Sequence, residues 1–423
     1  MSEDGGKPTS QLAEAERPGL FEAFGVEIEL MIVDADTLSV KPVCDELMRA
    51  VAGGARSEIE LGEIAWSNEL TLHVLELKTN GPAPSLGNLA ARFHENVRRA
   101  NAELAGLGAR LMPGAMHPWM EPLRETRLWP HEYNEVYRTF DRIFGCSGHG
   151  WANLQSTHVN LPFTDDEEFG RLHAAIRLVL PLIPALAASS PFAEGRVGSA
   201  LDGRLVAYRA NARRVPSITG SVVPEPAFTR AAYERDVLHR IYADLAPLDP
   251  DGVLRHEWVN ARGAIARFDR GAVEIRVVDA QECPTADIAV VAAVVSVVRA
   301  LAVGRLAARD PGSDPDTARL ATMLERTTQQ GERALLADAD YLRILGAPPT
   351  ETTAGDLWRR LLDAHPPYDP EHEWAEALDV ILARGPLARR LLAAAGSEPD
   401  RDRLREVYEA LCGCLETDDP FTP

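Results

Sequence analysis

In AFGVEIELMIVDAD, residues 23–36, Glu27 and Glu29 stand two apart inside a run that is otherwise apolar. Side chains alternate faces along a strand, so Phe24, Val26, Ile28, Leu30 and Ile32 share one face and the two glutamates the other. At about 3.3 Å rise per residue their carboxylates lie roughly 6.5 Å apart, close enough to converge on one cation or on two adjacent ones. A solvated strand face is the plain alternative. Three further segments carry matching groups. SNELTLHVLELKTNGP holds Glu69 and Glu76, whose odd spacing sends them to opposite faces of a regular strand unless a bulge or break brings both to one site. NLQSTHVNLPF sets Ser156, His158 and Asn160 opposite Val159, Leu161 and Phe163. A single strand histidine is also an ordinary hydrogen-bonded residue. GAVEIRVVDAQECP places Glu274 and Arg276 together, opposite Val273, Ile275 and Val277. That pair is either a cross-strand ion pair or a metal-binding carboxylate beside a guanidinium suited to phosphate oxygens.

Five glutamates and a histidine from four segments form an oxygen-rich donor set of the kind Mg²⁺ prefers. Buried together without a cation, the carboxylates would each carry a heavy desolvation cost and repel one another. No GxxxxGK[ST] or GxGxxG loop occurs, and in GGKPTS the lysine is followed by Pro8. With three lysines in the chain (Lys7, Lys41 and Lys78), a nucleotide here would be held through metal ions and arginines.

The elements that must position these groups alternate irregularly between strand and helix from Phe21 to about residue 305. Residues 88–108 have helical periodicity, and a second helix from Asp166 is expected to bend or end at Pro181 and Pro184. We divide the 423 residues into a flexible tail (1–19), a catalytic domain (20–310) and a helical C-terminal region packed on it (311–423). A net charge of −20 argues against nucleic acid as a partner. The most apolar run, DIAVVAAVVSVVRALAVG, is interrupted by Arg299 and reads as a core helix, so no membrane is expected. The polar N-terminus shows no apolar leader, and five scattered cysteines read as reduced thiols in a cytoplasm.

Taken in chain order, these segments resemble the glutamate–cysteine ligase family and its relatives among ATP-dependent carboxylate–amine ligases. GVEIEL is similar to the family's opening Glu-x-Glu strand, ELTLHVLELKTNGP to its acid pair seven apart, and GARLMPGAMHPWMEP to its helix and Gly…His-Pro stretch. STHVNLPF looks like its histidine strand, ASSPFAEGRVGSALDGRLVAYR like the segment leading to a substrate arginine, and VEIRVVDAQECPTADI like its Glu-x-Arg strand. The resemblance covers roughly residues 21–305. It implies an α+β, glutamine-synthetase-like fold: a curved, mostly antiparallel sheet forming the cavity, helices outside it and a helical C-terminal region. It further implies ATP as co-substrate with two or three Mg²⁺ ions, or Mn²⁺ in their place. The reaction that the resemblance implies is an amide synthesis through an acyl phosphate, with γ-glutamyl transfer to cysteine or a related amine, as in glutathione biosynthesis. By that likeness Glu27, Glu29, Glu69, Glu76, His158 and Glu274 hold the ions. Arg276 binds the nucleotide and stabilises the transferring phosphoryl group, Arg209 grips a substrate carboxylate, and Asn160 and Tyr208 touch substrate. Partners would be small molecules, and the protein a cytoplasmic monomer or homodimer. Two rivals stay open: a guanidino-kinase-like phosphotransferase, and a non-catalytic Mg–nucleotide-binding protein.

Overall fold

The computed structural model describes residues 17–54, 56–305, 315–367 and 372–423. Most of the expected tail, and residues 311–314 at the expected domain junction, lie outside the described residues. Eight strands form one sheet: β1 Gly25–Asp34, β2 Glu58–Leu61, β3 Ile64–Asn68, β4 Val74–Thr79, β5 Ala109–Met112, β6 Ser156–Pro162, β7 Ala264–Arg267 and β8 Ala272–Asp279. Their order is β2-β3-β4-β1-β6-β8-β7, and every registered pair is antiparallel. Met31 pairs with Val74 on one edge of β1 and with Met112 on the other. The long central strand is therefore flanked by β6 along its first half and by β5 along its second.

The alternation in β1 divides the molecule. Val26, Ile28, Leu30 and Ile32 enter the large core, packed with residues of the helices Leu89–Ala105 (α1), Asp166–Val179 (α2) and Pro284–Arg299 (α3). The opposite face begins with Glu27 and Glu29 and continues as Met31 and Val33. Those two apolar residues are covered by Leu387, Leu391, Leu404, Tyr408 and Leu411, from the helices Leu387–Ala395 (α4) and Arg401–Thr417 (α5). One strand face is thus open and acidic at one end and roofed by C-terminal helices at the other.

The helix from Asp166 starts where the Asp165 carboxylate accepts the Glu168 amide at 2.9 Å. It ends at Val179 and passes into a 3-10 turn at Leu180–Leu182, as the prolines require. The apolar run around residue 290 is a core helix, buried at every position from Pro284 to Val298. None of the five cysteines is in a disulfide.

His173 on α2 stacks on Phe169 with centroids 5.3 Å apart, and neither of its ring nitrogens has a hydrogen-bond partner. Burial, aided by the charges of Arg177 and Arg262, lowers its pKa to about 3. The unfolded chain, with an ordinary histidine, binds more protons between about pH 3 and 6.5, so this group's contribution to stability falls as pH drops through that window. His173→Phe removes an unsatisfied buried imidazole. It is expected to raise stability at pH 7 by about 1–3 kcal/mol and by a further ~1.4 kcal/mol at pH 5.5. Urea unfolding at the two pH values tests this, and an unchanged midpoint at both would contradict it.

Candidate active site

The acidic face of the sheet opens into a cavity of about 890 Å³. Glu27, Glu29, Glu69, Glu76, His158, Glu274, Arg276 and Tyr208 all line it. Register explains the convergence: Glu29 lies opposite Glu76, and Glu27 lies between Lys78 and His158. Glu274 pairs with Asn160 one strand further on.

His158 is the hub. Its Nδ1 is 3.1 Å from Glu27 Oε2 and 3.9 Å from Glu274 Oε1, and its Nε2 shares a hydrogen bond with Ser156 Oγ at 2.8 Å. Ser156 in turn donates from N (2.7 Å) and Oγ (3.1 Å) to Glu29 Oε2. The Glu76 carboxylate accepts from the Ser67 hydroxyl. Asn160 Nδ2 donates to Glu27 Oε1 at 3.2 Å, while Asn160 Oδ1 is buried without a partner. Glycine is required opposite this asparagine, because a Cβ at Gly25 would come within 2.8 Å of Asn160 Cβ.

Electrostatics follow from that packing. Burial works against ionisation of Glu27, but the His158 hydrogen bond and charge, with Arg270 and Lys78, outweigh it and hold the carboxyl well below the usual range. Glu29 goes the other way: burial raises it, and the Glu76 carboxylate adds to the rise against the pull of His158. Burial disfavours the imidazolium of His158, yet the Glu27 hydrogen bond and the charges of Glu29, Glu27 and Glu274 push it up to about 9. Glu274 is held low, against its burial, chiefly by Arg276.

Two sets of ligand atoms lie within 4.8 Å of one another: Glu27, Glu76 and His158, and Glu29, Glu69 and Glu76. Glu76 belongs to both, so the set suits two neighbouring divalent cations sharing one carboxylate. Oxygen donors dominate, as Mg²⁺ requires, and the one imidazole is also acceptable to Mn²⁺. The donor chemistry fits the expected metal.

Of the bulge and the break left open for Glu69 and Glu76, the chain takes the break; the expectation that needs correction is Arg209. β3 ends at Asn68, the chain reverses over residues 69–73, and Glu76 returns on β4 opposite Ser67. Glu69, two residues beyond Ser67, is thereby brought to the Glu76 side of the sheet. Arg209 does not enter the cavity. It lies just past the helix Gly203–Tyr208, is exposed, and sits 3.9 Å from Glu325 beside a separate surface hollow. The residues of that helix that do face the cavity are Arg204 and Tyr208, four apart and hence on one side.

Other residues enter that the motif reading passed over. Arg204 is buried, bonded through Nε to Asp279, and donates from both Nη atoms to the Arg276 carbonyl at 3.2 and 3.3 Å. It buttresses β8 where the register with β6 slips between Ile275 and Val278, the bulge that aims Arg276. Arg267 donates to Glu274 Oε2 at 3.4 Å, and Arg270 lies 4.0 Å from Glu27 Oε1. Lys78 pairs with Glu58 at 2.5 Å and lies 3.8 Å from Glu76. Strand alternation pointed to Lys78, since it follows Glu76 by two. Arg267 and Arg270 stand in the hairpin that leads into β8.

Known proteins share sequence and fold with this chain. The profile of glutamate–cysteine ligase family 2 matches residues 23–410. An uncharacterized protein of Archaeoglobus fulgidus is 37% identical over 279 residues, 66% of this chain and 74% of its own. A Rubrobacter xylanophilus protein, provisionally named glutamate–cysteine ligase 2-3, is 32% identical over 186 residues. That match spans 44% of this chain and less than half, 47%, of the relative. Among solved structures, a bifunctional glutathione synthetase from Pasteurella multocida superposes with a TM-score of 0.52 at 14% identity, covering 93% of this chain and 53% of that one. That likeness concerns the fold, and the α+β architecture expected from the sequence is the one observed. The chain belongs to glutamate–cysteine ligase family 2, a family of carboxylate–amine ligases.

Proposed function

We propose that this chain is an ATP- and Mg²⁺-dependent ligase that joins the γ-carboxylate of glutamate to cysteine or a related amine through an acyl phosphate. One observation supports it above the rest: six metal-type donors and Arg276 open into a single cavity. Glu27, Glu76 and His158 would hold one ion, and Glu29, Glu69 and Glu76 a second, with Glu274 beside His158. Bound Mg²⁺ supplies charge neutralisation and alignment for the triphosphate.

The chain's own groups do the rest. Glu274 accepts the Arg276 Nε hydrogen at 2.5 Å, which leaves the forked end of the guanidinium for phosphoryl oxygens. A carboxylate is already nucleophilic at neutral pH, so its attack on the γ-phosphorus, with departure of ADP, needs no protein base. The amine then attacks the acyl carbon, phosphate leaves, and the nitrogen loses a proton. Tyr208, on the cavity wall, would contact substrate, whereas Asn160 does not line the cavity and would act by holding Glu27 through Nδ2. Catalysis would rest on residues 20–310, with 311–423 as its helical buttress. The unpaired thiols suit a reducing compartment such as the cytoplasm.

The test is ADP release by the purified chain with Mg²⁺, ATP, glutamate and a panel of amines, followed by product mass. Amide and ADP in equal amounts are expected. A stable phosphorylated product without amide would instead identify a phosphotransferase, and nucleotide binding without turnover a non-catalytic protein.

A further inference from the structure

The two sets of cation ligands are joined through one residue that belongs to neither. Ser156 gives its amide (2.7 Å) and its hydroxyl (3.1 Å) to Glu29 Oε2, and the same hydroxyl oxygen lies 2.8 Å from His158 Nε2. Glu29 belongs to the Glu29–Glu69–Glu76 set and His158 to the Glu27–Glu76–His158 set. Local structure explains the placement. The last registered pair between β1 and β6 is Ile28 with Thr157, so Ser156 stands one step past that ladder and its amide turns to the Glu29 side chain. The serine is 5% exposed and Glu29 8%, so water competes little for these bonds.

The directions of the bonds follow from where the protons must be. His158 Nδ1 is the nitrogen that faces Glu27, its fellow ligand, at 3.1 Å. A histidine that binds a cation through Nδ1 is neutral and keeps its proton on Nε2. Ser156 Oγ is the acceptor for that proton, and its single hydroxyl hydrogen is left for Glu29 Oε2. Reversed, the hydroxyl would donate to Nε2 and turn only lone pairs to Glu29, while the ring proton would sit on Nδ1, where the cation belongs. The first arrangement leaves both the imidazole and the carboxylate turned to cations.

We propose that Ser156 is a positioning residue for both cations: its one hydroxyl fixes the imidazole that serves the first and the carboxylate that serves the second. This rests on the metal-dependent reading above and adds to it a residue that ligates neither ion. Groups that orient metal ligands in this way act on affinity through the ligand they hold, and here one group holds two.

Titration of Mn²⁺ alone into the metal-free full chain, read by the paramagnetic resonance of the free ion, tests this without turnover. The wild-type chain is expected to hold two ions. In Ser156→Ala both dissociation constants rise about tenfold or more, and Ser156→Thr, which keeps the hydroxyl, restores both to within about threefold. Ser156→Cys, close in size but a weak donor, carries the same expectation as the alanine variant should that one fail to fold. An alanine variant in which either constant stays at the wild-type value overturns the proposal and leaves the ligase reading standing. So does a threonine variant as weak as alanine, since the loss would then come from packing. A wild-type chain that holds fewer than two ions sinks the two-cation reading, and this proposal with it.

Discussion

Replacing Arg276 with alanine is expected to slow amide formation by about a thousandfold or more, because in the proposed reaction this half-buried guanidinium takes up charge on the transferring phosphoryl group. The protein should stay folded. Glu274 retains Arg267 on its second oxygen, and the lost side chain opens onto a cavity instead of a packed core. Glu27→Gln should act in the same direction, since it removes an anionic donor from the Glu27–Glu76–His158 set. Arg209→Ala is the matched control, with activity within about twofold, as expected of a surface substitution away from the site. Quenched-flow measurement of ADP release, with a thermal melt of each variant, decides the matter. An Arg276→Ala enzyme with wild-type rates would remove this residue from the chemistry.

The second large effect lies outside the cavity. Arg390 and Glu282 form a buried ion pair, 2% and 0% exposed. Arg390 also donates to the Phe421 carbonyl at 2.7 Å, and the Phe421 amide donates to Glu282 at 3.1 Å. Arg390→Ala strands the Glu282 carboxylate in the core and is expected to cost about 3–5 kcal/mol of stability in urea unfolding. The double substitution Arg390→Met with Glu282→Leu should recover most of that loss, because the penalty comes from the unpaired charge and not from the missing attraction. A single variant that loses less than about 1 kcal/mol would mean that Glu282 finds water or another partner.

Where one-strand periodicity decides, the sequence could be read directly. β1 needs no partner to declare that Glu27 and Glu29 share a face, and the same holds for His158 with Asn160 and for Glu274 with Arg276. Glu69 and Glu76 were harder, because their meeting depends on a chain reversal. Glu69 follows the end of β3 and Glu76 sits on β4, so the turn between them undoes the odd spacing. Arg209 was misplaced for a reason of phase. The helix begins where Asp202 caps the Leu205 amide at 2.8 Å, and that start turns Arg204 and Tyr208 inward and the next residue out. Phe140, Trp151 and Trp258 meet in the cavity from helix Asn134–Phe144 and two separate segments, a proximity that no local pattern encodes.

The cover that α4 and α5 give to Met31 and Val33 has a consequence for how the chain folds. The central strand keeps half of one face bare until residues more than 350 positions further along the chain, Leu387 to Leu411, are in place. Contacts of such sequence separation form slowly, and the exposed strand is meanwhile prone to pairing with other chains. Production of this protein should therefore be sensitive to chaperone supply and growth temperature.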